Sequence, residues 1–197
     1  MELVLATRNR HKVSEIRAVL QGLKMTIRTL DDFPAVTEVE EDGATCRENA
    51  IKKARIVAQE SGKLALADDT GLEVQALAGR PGVHSSRFAG EQATFSDNRQ
   101  KLLQEMKGVP GLKRKAWFRC VIALASPALV LAVEEGVLPG TIAVQERGQE
   151  GFGYDPVFLL LGRGKTLAEV PPEEKNRISH RAIALAKMKR HLGRLFS

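Results

Sequence analysis

Residues 64–74 read LALADDTGLEV. An apolar run with the character of a buried strand meets two adjacent aspartates, a threonine and a glycine, and apolar alternation then resumes. A carboxylate at the end of a buried strand is partly desolvated, and it is stable there only when paired with a cation or supplied with hydrogen bonds. Neighbouring residues of a strand point to opposite faces, so Asp68 and Asp69 are expected to do different jobs, one facing a cleft and the other a supporting partner. A simple Asp-Thr-Gly turn accounts for the same stretch equally well.

The rest of the chain reads as alternating strands and helices. Glu2 to Thr7 has the pattern of a buried first strand, the polar loop RNRHK follows, and Val13, Ile16, Val19 and Leu20 recur at helical spacing. A second strand is expected around Met25 to Thr29. TCRENAIKKARIVAQESG reads as a helix ending at Gly62, with Thr45 and Glu48 placed as a capping box. RPGVHSSRFAG is loop-like, Asp97 to Lys107 helical, and Trp117 to Ala125 with Leu129 to Val133 form an antiparallel pair that Gly136 to Val144 extends. Phe158 to Leu161 reads as a further strand, and Ile178, Ala182, Leu185, Met188, Leu192 and Leu195 line one face of a last helix. These elements, without repeat or linker, predict one compact α/β domain with a partly antiparallel sheet over 197 residues.

Composition narrows the partners. The apolar stretch from Cys120 to Val133 is interrupted by Ser126 and Pro127 and falls short of the roughly 20 residues that span a bilayer. LVLA after Glu2 is too short for the core of a signal peptide, so a soluble, cytoplasmic protein is expected, with no membrane partner. Cys46 and Cys120 have no CxxC spacing and suggest neither a zinc site nor a disulfide framework. The net charge of +6 lies wholly in residues 161–197, which hold nine Lys/Arg against three Asp/Glu. A basic helix of this kind is ordinarily a solvated surface. A nucleic-acid-binding module would use that charge but not the acidic motifs, and one Trp, one Tyr and seven Phe leave little for base stacking.

Five stretches could carry chemistry. ATRNRHK lies where a strand hands over to a helix, so backbone N–H groups with Thr7, Asn9 and Lys12 can face an anion; an ordinary polar loop is the competing reading. In VEEDGATCRENAIKKA, Glu40, Glu41 and Asp42 precede a helix on which Asn49 and Lys53 share a face. The aspartates of ADDTG supply hard oxygen donors suited to Mg²⁺, which takes one or two carboxylates together with phosphate oxygens. GFGYDP offers close backbone approach and the Phe152 ring as a stacking face, or simply a glycine-rich turn. In EEKNRISHRA, a Ser179 cap places His180 and Arg181 in a first helical turn, where the dipole disfavours cations; a bound anion or carbonyl would explain them, with Lys175 reaching in from the preceding loop. GRGKT at 162–166 is not a phosphate loop, because Leu159 stands where the first glycine is required.

In this order, TRNRHK, EEDGATCRENAIKKAR, ADDTG, PGVHSSRFAG, FGYDP and EEKNRISHR resemble the inosine triphosphate pyrophosphatase family over nearly the whole chain. The resemblance implies a long mixed central β-sheet flanked by helices, two lobes with an active-site cleft between them, and a homodimer. It implies Mg²⁺-dependent hydrolysis of non-canonical purine nucleoside triphosphates (ITP, dITP, XTP) to the monophosphate and pyrophosphate, by residues 1–197 as a single catalytic domain. Asp69 matches the general base and, with Glu41, the metal ligands; Asp68 matches a supporting carboxylate. Thr7, Asn9 and Lys12, with Lys53, match the triphosphate contacts, and Arg8, Arg10, His11 and Thr70 fall among the substrate-binding positions that the resemblance implies. Phe152, Gly153, Tyr154 and Asp155, with His180 and Arg181, match the base pocket, and Lys175 matches a further substrate contact. Arg8 stands for a frequent glycine, Cys46 for an aromatic and Thr70 for a serine. The alternative among enzymes is a Maf-type nucleotide pyrophosphatase, for which FGYD and SHR would be the wrong base pocket.

Overall fold

The structure is a computed structural model, and it describes residues 2–195. Along the chain its strands and helices are β1 Glu2–Leu5, α1 Arg10–Leu20, β2 Thr26–Thr29, α2 Cys46–Ser61, β3 Leu64–Val74, β4 Pro81–Gly82, α3 Phe95–Glu105, β5 Lys115–Ala125, β6 Val130–Ile142, β7 Phe158–Leu160, α4 Pro172–Ile178 and α5 His180–Leu195. The strands form one mixed sheet in the order β2-β1-β3-β5-β6-β7, with β4 on β3. β1 pairs in parallel with β2, Leu3 opposite Ile27, and with β3, Leu5 opposite Leu66. The β3–β4 and β6–β7 pairs are antiparallel.

The chain divides into two compact units. The first comprises residues 1–69, 120–136 and 180–197. Its core joins Leu3, Leu5 and Leu66 of the sheet to Ile16 and Leu20 of α1 and to Leu185, Met188 and Leu192 of α5, whereas two residues of the expected last-helix stripe depart from it: Ile178 ends α4 and packs against the second unit's core, and Leu195 is exposed. The second comprises residues 70–119 and 137–179, with a core of Leu72, Val74, Leu102, Met106, Phe118, Phe158 and Leu167. Cys46 and Cys120 are both buried, and neither is in a disulfide. Among the described residues, no helix is long and apolar enough to cross a membrane.

Several local expectations are corrected. β3 runs unbroken through Asp68, Asp69, Thr70 and Gly71, so the turn reading of this stretch fails. Thr45 caps α2 by accepting from the Glu48 N–H at 3.1 Å, but Glu48 Oε2 accepts from Ala44 N at 2.8 Å, one residue before the position a capping box requires. Gly62 ends α2 at φ 66°, a left-handed conformation that favours glycine. Residues 130–142 are one strand rather than two. Lys175 lies in the short helix α4, started by the proline pair at 171–172, and not in a loop.

Candidate active site

The first unit gathers most of the charged residues singled out in the sequence, and β3 sorts them. Asp68 and Asp69 are almost fully buried, at 1% and 4% exposure, and because their side chains alternate across the strand they meet different partners. Asp68 Oδ2 accepts from Arg181 Nε at 3.1 Å and Nη2 at 2.9 Å, and Lys12 Nζ lies 3.1 Å away. Burial opposes its charge, but Lys12, Arg181 and Lys53 outweigh that and hold the carboxyl well below the usual carboxylate range. Asp68 is thus the anionic anchor of a buried ionic cluster.

Asp69 faces α2. Its Oδ2 accepts from Asn49 Nδ2 at 3.1 Å, and its Oδ1 lies 3.9 Å from Lys53 Nζ. Burial pushes this carboxyl above its ordinary value, Lys53 opposes the shift and the neighbouring Glu41 adds to it. Lys53 also donates to Glu41 and, at 2.6 Å, to the carbonyl of Asp68. Burial disfavours the ammonium, but Asp68, Glu41 and Asp69 together raise its pKa, so it stays charged. Glu41 and Asp69 therefore converge on one cation. Glu40 is exposed, which separates it from Glu41.

The loop between β1 and α1 is ordered by its own side chains. Asn9 is the N-cap of α1, accepting from His11 N at 2.9 Å and Lys12 N at 3.3 Å, while its own N–H donates to Thr7 Oγ1 at 3.2 Å. Arg10 and His11 are exposed in the first turn, and Arg8 reaches toward Asp31 at 3.9 Å. Lys12, in the first turn of α1, turns inward to Asp68.

At the start of α5, His180 and Arg181 are both buried, at 3% and 2% exposure. The cation that the helix dipole disfavours is answered from within the unit, by Asp68 and by Glu15 of α1. Glu15 gave no sequence signal, because a partner 166 residues away cannot be read from local spacing.

The second unit holds the FGYD loop. Asp155 Oδ2 accepts from the Phe152 N–H at 2.8 Å and from Lys175 Nζ at 2.5 Å, and that ammonium lies 4.8 Å from the centre of the Phe152 ring. Arg99 Nη1 donates to the Gly153 carbonyl at 3.0 Å, and Tyr154 donates to the Ser85 carbonyl at 2.9 Å. Phe95, at the start of α3, tilts against Phe152 with ring centres 5.9 Å apart. Gly151 adopts φ +75°, and a Cβ there would overlap Asp155 Oδ2. Arg99 and Phe95 belong to none of the motifs in the sequence, where Asp97 to Lys107 reads only as a helix. Thr70, half-buried, continues β3 directly beyond Asp69.

The Ham1 family model matches residues 3–191. The chain belongs to the Ham1 family. It is 52% identical to a dITP/XTP pyrophosphatase of Geobacter sulfurreducens over 191 residues, covering 97% of this chain and 96% of that relative. It is 44% identical to the dITP/XTP pyrophosphatase of Bacillus subtilis over 191 residues, again 97% and 96% of the two chains. The structure of a HAM1 protein from Coxiella burnetii superposes with a TM-score of 0.89 at 42% identity, covering 98% of this chain and 99% of that one. The mixed sheet and flanking helices of this Ham1 chain are the fold of that structure.

Proposed function

We propose that this Ham1-family chain hydrolyses non-canonical purine nucleoside triphosphates, ITP, dITP and XTP, to the monophosphate and pyrophosphate. The observation that carries the reading is the division of labour at Asp68 and Asp69. One carboxylate is locked by Arg181 and Lys12, while its neighbour stands beside Glu41 and Lys53 with a raised pKa.

Among the described residues, no three His, Cys, Asp or Glu side chains gather as a metal cage. A pair of carboxylates fits Mg²⁺, which commonly takes one or two protein carboxylates and completes its shell with water and phosphate oxygens. Glu41 and Asp69 would hold it, and when bound it would neutralise charge on the phosphates. Lys12 and Lys53 add fixed positive charge where the leaving pyrophosphate develops negative charge. Asp69 takes the proton from the water that attacks the α-phosphorus; the α–β anhydride P–O bond breaks and pyrophosphate leaves. The backbone of Thr7 to Lys12, with the Thr7 and Asn9 side chains, is assigned to the triphosphate.

The FGYD loop is assigned to the purine, with the Phe152 ring as its stacking face. Hydrogen bonds donated by His180 or adjacent backbone to the 6-keto oxygen of hypoxanthine or xanthine would be lost against the 6-amino group of adenine, leaving buried groups unpaired, while Arg181, engaged by Asp68 and Glu15, is assigned to holding that cluster. A homodimer, a cytoplasmic setting and action of residues 1–197 as one catalytic domain complete the proposal.

Hydrolysis in ¹⁸O-labelled water tests the assigned step. Attack at the α-phosphorus places the label in the nucleoside monophosphate. Label in pyrophosphate or in inorganic phosphate contradicts it.

A further inference from the structure

Asn49 lies on α2 one turn before Lys53 and is 1% exposed, yet nothing in the mechanism above uses it. Its amide makes two hydrogen bonds in opposite senses. Oδ1 accepts from the Gly43 N–H at 2.8 Å, and Nδ2 donates to Asp69 Oδ2 at 3.1 Å. The orientation is fixed by chemistry, since a backbone N–H needs an acceptor and a carboxylate needs a donor. Gly43 is two residues from Glu41 in the loop before α2, so one buried side chain spans from the strand that carries Asp69 to the loop that carries Glu41.

The contact at Gly43 is close by construction. A Cβ on that residue would stand 2.6 Å from Asn49 Oδ1 and 2.9 Å from Glu48 Cβ, so only glycine lets the loop come down onto the amide. The loop is also tied to α2 by Lys52 on Asp42 and by the Ala44 N–H on Glu48, while Glu41 itself is held by Lys53. That ammonium is assigned to the triphosphate, so a permanent tether on the same loop that also reaches Asp69 has a distinct use.

We propose that Asn49 is a positioning residue, setting the spacing between Glu41 and Asp69 by holding the Gly43 backbone and the Asp69 carboxylate on one amide. The proposal rests on the assignment of those two carboxylates as metal ligands. Groups that orient metal ligands are costly to lose, commonly about 10- to 100-fold in affinity or activity.

The test uses two substitutions that break the same tie from its two ends. Asn49→Leu keeps the shape and removes both hydrogen bonds; Gly43→Ala keeps Asn49 and pushes the loop off it. Mn²⁺ serves as the probe, titrated into the full-length protein without nucleotide and followed by loss of the free-ion electron paramagnetic resonance signal. Glu41→Gln is the reference for loss of a ligand. Both tie-breaking variants are expected to weaken Mn²⁺ binding about tenfold, and to lower kcat with KM for ITP changed less than twofold. If Asn49→Leu does not fold, Gly43→Ala decides. Wild-type Mn²⁺ affinity and kcat in Gly43→Ala, with Glu41→Gln impaired, overturn the role of Asn49 and leave the metal assignment standing. Wild-type protein that binds no Mn²⁺, or Glu41→Gln that binds it equally well, overturns both.

Discussion

Arg181 holds Asp68 through two nitrogens on a single oxygen, Nε at 3.1 Å and Nη2 at 2.9 Å from Oδ2. Both residues are essentially inaccessible, and neither charge has water to fall back on. Removing Asp68 leaves Arg181 to Glu15 and takes the carboxylate from Lys12, and breaking a buried pair of this kind costs up to about 3–5 kcal/mol. Asp68→Asn is therefore expected to lose stability on that scale in denaturant unfolding. A wild-type unfolding midpoint would show that the cluster contributes little.

Asp69→Asn, one residue further along β3, is expected to behave in the opposite way. Lys53 keeps Glu41 and the Asp68 carbonyl as partners, so the charge lost at Asp69 leaves no buried cation stranded. Turnover of ITP should fall by about 10²- to 10⁴-fold, as for loss of a general base, with the melting temperature nearly unchanged. Wild-type turnover would remove Asp69 as the base.

The contrast between these two residues shows how much the sequence disclosed. Alternation along LALADDTGLEV was enough to predict that the aspartates part company, because a strand sends neighbours to opposite faces. The turn alternative failed since Thr70 and Gly71 continue the strand. The motif residues of the first unit, Lys12, Glu41, Lys53, Asp69 and Arg181, are singled out by the order of six motifs and the resemblance those carry, since each stretch alone also reads as an ordinary loop, turn or surface helix. Their supporters carry no such assignment. Glu15 and Arg99 are ordinary polar residues on helices, and Asn49 reads from spacing only as sharing a face with Lys53; the fold reveals that they meet Arg181, the Gly153 carbonyl and Asp69. The cations at the start of α5 break a local rule in a way that reads from sequence as a call for a ligand, whereas buried carboxylates from β3 and α1 already answer Arg181.

In the second unit, Gly151→Ala tests the base loop without touching the phosphate-side residues. The added methyl must displace Asp155, and with it the Lys175 ion pair and the Phe152 N–H bond, from a backbone position at φ +75° that alanine tolerates poorly. KM for ITP should rise severalfold, with the metal concentration needed for half-maximal rate unaltered. An unchanged KM would remove this loop from substrate binding.

Arg114 is buried at 5% exposure and donates to the carbonyls of Ile142, Ala143, Met106 and Val109 at 2.7–3.3 Å. Its role is to satisfy backbone acceptors where the chain turns between α3, β5 and the end of β6. Arg114→Leu strands several of them, at about 1–3 kcal/mol for each acceptor left without water. Thermal unfolding of this variant should fall well below wild type while KM for ITP in the folded fraction stays the same; unaltered stability would contradict the assignment.

Pyrophosphate release from ITP, XTP and dITP against ATP and GTP, at equal concentrations with Mg²⁺ and pure protein, tests the central claim most directly. The account predicts pyrophosphate and monophosphate in equal amounts from the three non-canonical nucleotides, at rates well above those for ATP. Absence of pyrophosphate from ITP, or equal rates with ITP and ATP, would contradict it.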